Sequence, residues 1–298
     1  MTQSRIVWLD WTVDRTVRAL LWSARRLPYG ARLSLMGAIM RGLGAANGYR
    51  ARAEENLELI FPDMPAARRR EIARAVLDNF GRTAIENYSP REQLARAARW
   101  QPHGPGFAAC EEARAAGRPI LFVSGHFGNH QAIRAALNLR GYAVGGLWRP
   151  FNNPYSNAHY AASIEAVGGT AFSRDRRGLA AFVKNLRDGG QGALLIDQYF
   201  SDGADLDFMG QPARTALSAA EMALKYDALL VPVYGERLAN GLDFDIHLEA
   251  PLPHTDPETM TQALNDSLAA RVRACPEQWL WVHRRWKSAG GQRRQQAD

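Results

Sequence analysis

The chain is poor in cysteine, in acidic charge and in long apolar runs, and each shortage excludes something. Cys110 and Cys275 are the only cysteines in 298 residues. Two thiols so far apart offer no zinc spacing, no Cys-x-x-Cys redox pair and no disulfide framework, which favours a reducing, cytoplasmic setting. No stretch of about 20 apolar residues exists, so no spanning helix is expected. A mean hydropathy of −0.32 also argues against a polytopic membrane protein. Acid is in deficit: 30 Asp and Glu stand against 37 Lys and Arg, a net charge of +7. That balance favours anionic partners such as phospholipid or an acidic protein. Nucleic acid is not expected, because a zinc finger, an RNP motif and a concentrated basic stripe are all missing. Internal repeats and low-complexity linkers are missing too. The remainder is globular, 46% hydrophobic and 22% charged.

Residues 1–30 carry the first positive signal. Asp10, Asp14, Arg15 and Arg18 interrupt the apolar residues, so the segment fits neither a secretory signal nor a membrane span. Ile6, Trp8, Leu9, Trp11, Val13, Val17, Leu20, Leu21 and Trp22 supply apolar bulk, and Arg15, Arg18, Arg25 and Arg26 supply charge. Trp with Arg on one short helix suits a membrane interface; the alternative is a surface helix packed on the domain. Residues 31–98 read as a helical lead-in with a turn at Pro62 and Pro65. Within it, AARRREIARAV is a solvated face or a docking surface for an acidic partner. The tail from 291 to 298 is expected to be flexible and basic.

From residue 118 the pattern alternates. RPILFVSG, YAVGGLWR, TAFSR and GALLIDQ read as strands, separated by helices at NHQAIRAALNLR, 155–167 and GLAAFVKNLRD. A loop rich in Gly and Asp follows residue 198. TALSAAEMALKYD then predicts a helix, ALLVPVYGERL and LDFDIHLEA predict strands about Asn240-Gly241, and 257–274 a last helix. The class is α/β: a mainly parallel central sheet with helices on both faces, preceded by the helical N-terminal region, all of 31–290 forming one domain. Ligands of such sheets sit at the carboxyl ends of the strands.

The string SGHFGNHQ at 124–131 stands at one such end. A His between a buried strand and a helix lies beside free helix N–H groups, which suit an oxyanion or phosphate. Neutral imidazole is the natural general base near pH 7. Gly128 admits substrate close to the backbone, and Asn129 caps the helix. His130 is an alternative base, but helix geometry is expected to turn it from the loop face.

His126 with FGN and a polar residue at 131 resembles the H-x-x-x-x-(Asp/Glu) motif of the lysophospholipid acyltransferase superfamily. The branch most similar is that of the late lauroyl/myristoyl acyltransferases of lipid A biosynthesis. ENLELIFPD at 55–63 with NFGRTAIE at 79–86, LWRPFNNPY at 147–155, DQYF with FMGQPARTA across 197–216, and WLWVHRRWK at 279–287 agree with it in order. The resemblance spans roughly residues 50–290.

It implies a peripheral membrane O-acyltransferase on the cytoplasmic face of the bacterial inner membrane. Such an enzyme moves a fatty acyl chain from acyl carrier protein or coenzyme A to a lipid hydroxyl, without metal, cofactor or covalent enzyme intermediate. The expected acceptor is a lipid A precursor; a different lyso-lipid, such as an amino-acid-containing one, is the alternative. One departure matters. Gln131 stands where the family has an acid. Another carboxylate then orients His126, with Asp197 the first candidate because it ends a neighbouring strand; or a neutral His126–Gln131 dyad suffices; or the chain is a non-catalytic, lipid-binding relative. Arg149, after a strand, suits a bidentate phosphate contact. Arg174, Arg176 and Arg177 form a second basic cluster, and Arg214 with Thr215 caps the next helix or touches a headgroup. His283, Arg284 and Arg285 are packing residues or a lipid-facing edge. Asp202, Asp205 and Asp207 lack the bidentate Glu of a calcium loop.

Overall fold

A computed structural model describes residues 3–287, with side chains from Trp8 onward. The tail expected at 291–298 and the side chain of Ile6 lie outside the described residues. The lead-in is helical: α1 Gln3–Ala24, α2 Tyr29–Ala46, α3 Tyr49–Ile60, α4 Ala66–Asn87 and α5 Pro90–Ala97. The Pro62/Pro65 turn separates α3 from α4, because proline cannot continue the first helix and starts the second well. A further helix, α6 Phe107–Ala115, occupies a stretch where the sequence pattern predicted no element.

The alternation then appears as β1 Ile120–Ser124, α7 His130–Asn138, β2 Gly145–Trp148, α8 Pro154–Glu165, β3 Ala171–Ser173, α9 Arg176–Arg187 and β4 Gln191–Leu195. After it come β5 Ala204–Phe208, β6 Gln211–Thr215, α10 Ser218–Tyr226, β7 Leu229–Arg237, β8 Phe244–Leu248 and α11 Pro257–Ala274. Several helices begin on a capping side chain, Asn129 as expected. Asn129, Asn153, Asp175 and Asp256 accept N–H bonds from the first turns of α7, α8, α9 and α11, satisfying donors that have no partner inside the helix.

Six strands form one sheet in the order β3-β2-β4-β1-β7-β8. All neighbours run parallel except β8, which returns antiparallel on β7. Side chains alternate between the faces, as a strand requires. Ile120 and Phe122 enter a core with Ile133 and Leu137 of α7, whereas Leu121 and Val123 enter another with Phe182 of α9, Ala219 of α10 and Leu264 of α11. Two predictions are corrected. The Gly- and Asp-rich stretch is no open loop but the antiparallel hairpin β5–β6. Thr215 closes that hairpin, so the next helix starts only at Ser218.

Helix α1 is oriented against the usual rule. Asp14 is buried, bonded to Arg18 and to Ser156 at the start of α8, while Arg18 also donates to the Tyr155 carbonyl. The packed face thus carries Asp14 and Arg18 beside the buried Leu21 and Ala24, which meet Leu33 and Ile85. Trp8, Trp11, Leu20 and Trp22 face outward, and Leu35, Ile39 and Leu43 of α2 are exposed at four-residue spacing. No described helix is long and apolar enough to cross a membrane.

Candidate active site

Strand register assembles the site. In the β1–β4 pair, Ser124 lies opposite Leu195. His126 and Asp197 each stand two residues further on, at the carboxyl ends of adjacent parallel strands. The Asp197 carboxylate is fully buried and takes three bonds. Its Oδ1 pairs with His126 Nδ1 at 2.8 Å, and its Oδ2 accepts the His126 backbone N–H at 2.7 Å and Trp279 Nε1–H at 2.8 Å. The bond to Nδ1 assigns the proton there and leaves Nε2 as the basic nitrogen.

The His126 backbone is tied from the other side as well: its carbonyl accepts from Leu280 N–H, and Gly128 N–H donates to the Gln278 carbonyl. Gly128 has a φ of +52°, and a Cβ there would sit 1.9 Å from the Gly235 carbonyl oxygen. Only glycine fits so close a crossing of loop and strand.

Charge around the imidazole is ordered by burial. For His126, burial favours the neutral ring, but the charge and hydrogen bond of Asp197 outweigh it and the pKa is raised. Asp197 would likewise be pushed up by burial, yet His126 and His283 hold its carboxyl well below the usual range. The two other histidines are kept neutral. His130 is lowered to about 3 by burial and by His126, and His283 to about 4 by the same two causes. Their rings lie 5.9 and 4.9 Å from that of His126.

His126 opens onto a cavity of about 710 Å³. Phe122, Ile133, Leu147, Ile164 and Leu195 make its walls apolar, while Arg52, Arg149 and Arg174 bring positive charge; none of the lining residues is acidic. Such a space suits an extended apolar chain with an anionic headgroup or linker.

The structure brings together His126, Asp197, Gly128, Arg149 and Arg174, and separates others. Gln131 lines the cavity but does not bond to His126; its Oε1 accepts from Arg134 Nη1 at 2.7 Å. Arg134 is buried and spends its other N–H groups on the carbonyls of Val144, Ile164 and Gly168, where α8 ends. Asn129 is buried between Gln131 N–H and Glu86, which is held by Arg237, so it positions α7 on α4 rather than facing substrate.

Arg177 is exposed in the first turn of α9, and Arg214 pairs with Asp205 on the hairpin; neither lines the cavity. Thr215 accepts from Arg285 instead of capping a helix. His130, expected to turn away, lines the cavity beside His126, because the first residue of a helix still faces the preceding loop. Sequence reasoning assigned Trp279 no role of its own and offered His283 only as a packing residue or part of a lipid-facing edge. The WLWVHRRWK string was the available signal, but only the contacts with Asp197 and His126 give those residues a place in the site.

A family model described as bacterial lipid A biosynthesis acyltransferase matches residues 3–288. A lipid A biosynthesis lauroyltransferase of Escherichia coli is 25% identical over 296 residues, covering 94% of this chain and 92% of the relative. A lipid A biosynthesis acyltransferase of Haemophilus influenzae is 24% identical over 269 residues, covering 86% and 81%. A phosphatidylinositol mannoside acyltransferase of Mycobacterium tuberculosis is 29% identical over 84 residues, 28% of this chain and 27% of the relative. A buried His–Asp pair at the mouth of an apolar, acid-free cavity and a match running through the whole described chain agree, and the chain belongs to the bacterial lipid A biosynthesis acyltransferase family, whose members act as acyltransferases on lipid.

Proposed function

We propose that the protein is a peripheral membrane O-acyltransferase in which His126 is the general base and Asp197 its orienting carboxylate. His126 Nε2 takes the proton of an acceptor hydroxyl, whose oxygen attacks the thioester carbonyl carbon of acyl carrier protein or coenzyme A. The tetrahedral intermediate collapses with loss of the thiolate, and the imidazolium returns the proton to sulfur. Asp197 holds the Nδ1–H tautomer and stabilises the imidazolium. The acyl chain occupies the apolar walls, and Arg149 and Arg174 meet the phosphate of the acceptor or of the phosphopantetheine arm. The observation that carries this reading is the 2.8 Å His126–Asp197 pair opening onto the cavity.

The acceptor is a lipid A precursor-like lipid, in keeping with the long-matching relatives, which are named for lipid A biosynthesis. A different lyso-lipid is the second reading, favoured by the differently named acceptor of the short-matching relative. Gln131 does not argue for a non-catalytic relative, since Asp197 supplies the charge that Gln131 lacks. Membrane docking by α1 and α2 is supported by the outward tryptophans of α1 and the exposed Leu35, Ile39 and Leu43 of α2, large apolar side chains that suit lipid. The test is transfer from acyl carrier protein and coenzyme A thioesters to candidate acceptors on vesicles. Turnover that survives unchanged in both His126→Ala and Asp197→Asn would overturn the mechanism.

A further inference from the structure

A second cluster of ionisable side chains lies away from the cavity, on the outer edge of the sheet. The segment between α5 and α6 runs alongside β8 for one residue. His103 N–H donates to the Ile246 carbonyl at 3.0 Å, and the His103 carbonyl accepts Leu248 N–H at 2.7 Å. His103 therefore stands directly beside His247 in a parallel bridge.

Asp245 and His247 are two apart on β8 and share one face of the strand. The His103 and His247 rings meet edge to face at 5.0 Å, and His103 Nε2 is 2.7 Å from Asp245 Oδ1. One ligand atom from each of the three lies within 4.8 Å of the others.

We propose that His103, Asp245 and His247 bind one first-row divalent metal ion of the zinc class. Two imidazoles and one carboxylate are a donor set matched to such an ion, and a half-exposed position leaves further coordination sites to water. The ligands are held ready by backbone. Gly104 follows His103 with a φ of +111°, and a Cβ there would stand 2.2 Å from the Leu248 carbonyl oxygen, so the segment leaves β8 by a path only glycine allows.

Two charges flank the cluster. Glu236, opposite Asp245 on β7, accepts from Cys275 Sγ at 3.2 Å, and the guanidinium of Arg271 on α11 is matched by Glu249, at 3.0 Å through both Nε and Nη2. Strand β8 is separated from β1 by β7, so the ion clamps the lead-in to the free sheet edge and takes no part at His126. His103 stands 142 residues before Asp245, which is why no motif announces the set.

The test is Zn²⁺ titration of the full, metal-stripped chain by calorimetry, with Co²⁺ absorption as the geometric readout. His126, His130 and His283 are a second group of imidazoles, so the quantity read is the difference between wild type and His103→Ala/His247→Ala. The wild type is expected to take up one more equivalent of Zn²⁺ and to show a rise in Tm on Zn²⁺ addition that the double variant lacks. Asp245→Asn, which preserves shape, is expected to bind that ion roughly tenfold more weakly. Equal uptake and equal Tm response in the wild type and the double variant, or unchanged affinity in Asp245→Asn, overturns the proposal.

Discussion

At the level of single residues, the departure at position 131 resolves into a division of labour. A carboxylate five positions after a catalytic His is one way to orient an imidazole, but Asp197 reaches the same Nδ1 from the next strand. Gln131 is left to satisfy Arg134. Three outcomes follow in a steady-state assay. Asp197→Asn is expected to lower kcat by ~10²–10⁴-fold, the range for loss of a tautomer-fixing acid. Gln131→Glu is expected to keep kcat within a few-fold, because the new carboxylate pairs with Arg134. Gln131→Ala is expected to cost about 1 kcal/mol of stability, read from a denaturation midpoint, with little loss of turnover. A fall in turnover as large as that of Asp197→Asn would return Gln131 to the mechanism. The pH profile tests the same pair. Under the proposed mechanism His126 would work as a base only when neutral, and Asp197 raises its pKa, so kcat/KM should climb as pH rises through a value above the ordinary 6.5. In Asp197→Asn only the downward pull of burial remains, and the climb should move to lower pH.

At the level of elements, the loop from Gly125 to Asn129 is a crossing point between β1, β7 and the C-terminal segment. Its geometry leaves no space for a side chain at position 128. Gly128→Ala is expected to destabilise the chain by more than about 2 kcal/mol, measured by chemical denaturation, because both the positive φ and the Gly235 contact oppose it. Helix α1 presents the opposite case, an element that packs Leu21 and Ala24 inward yet turns three tryptophans outward. Replacing Trp8, Trp11 and Trp22 by Ser should leave the melting temperature nearly unchanged, since these side chains pack on little else, but should reduce co-sedimentation with anionic vesicles. Unchanged co-sedimentation would remove α1 from the docking surface.

At the level of the whole molecule, the proposed membrane docking draws on both the excess of basic charge and the exposed apolar side chains. A +7 protein would approach an anionic bilayer or an acidic carrier through long-range attraction, and burial of tryptophan would hold it there. Vesicle binding should therefore weaken with added salt yet not vanish, because salt screens the first contribution and not the second. Complete loss at high salt would make the attachment purely electrostatic.

The amino-acid sequence by itself determined the parts that depend on local pattern. Apolar runs of strand length, Asn and Asp at helix starts, and prolines at turns are written into neighbouring residues, so the α/β alternation and the strand-end position of His126 were legible. The hairpin β5–β6 was not, because Asp205 and Asp207 on its outward face break the apolar signal and, of the β5 residues, only Phe208 is buried. What the tertiary structure decided is which distant groups meet. Pairing of β1 with β4 in one particular register brings Asp197 to His126 across 71 residues and lets Trp279 reach the same carboxylate. That register is set by packing of both sheet faces at once, a property of the folded sheet that no stretch of chain carries alone.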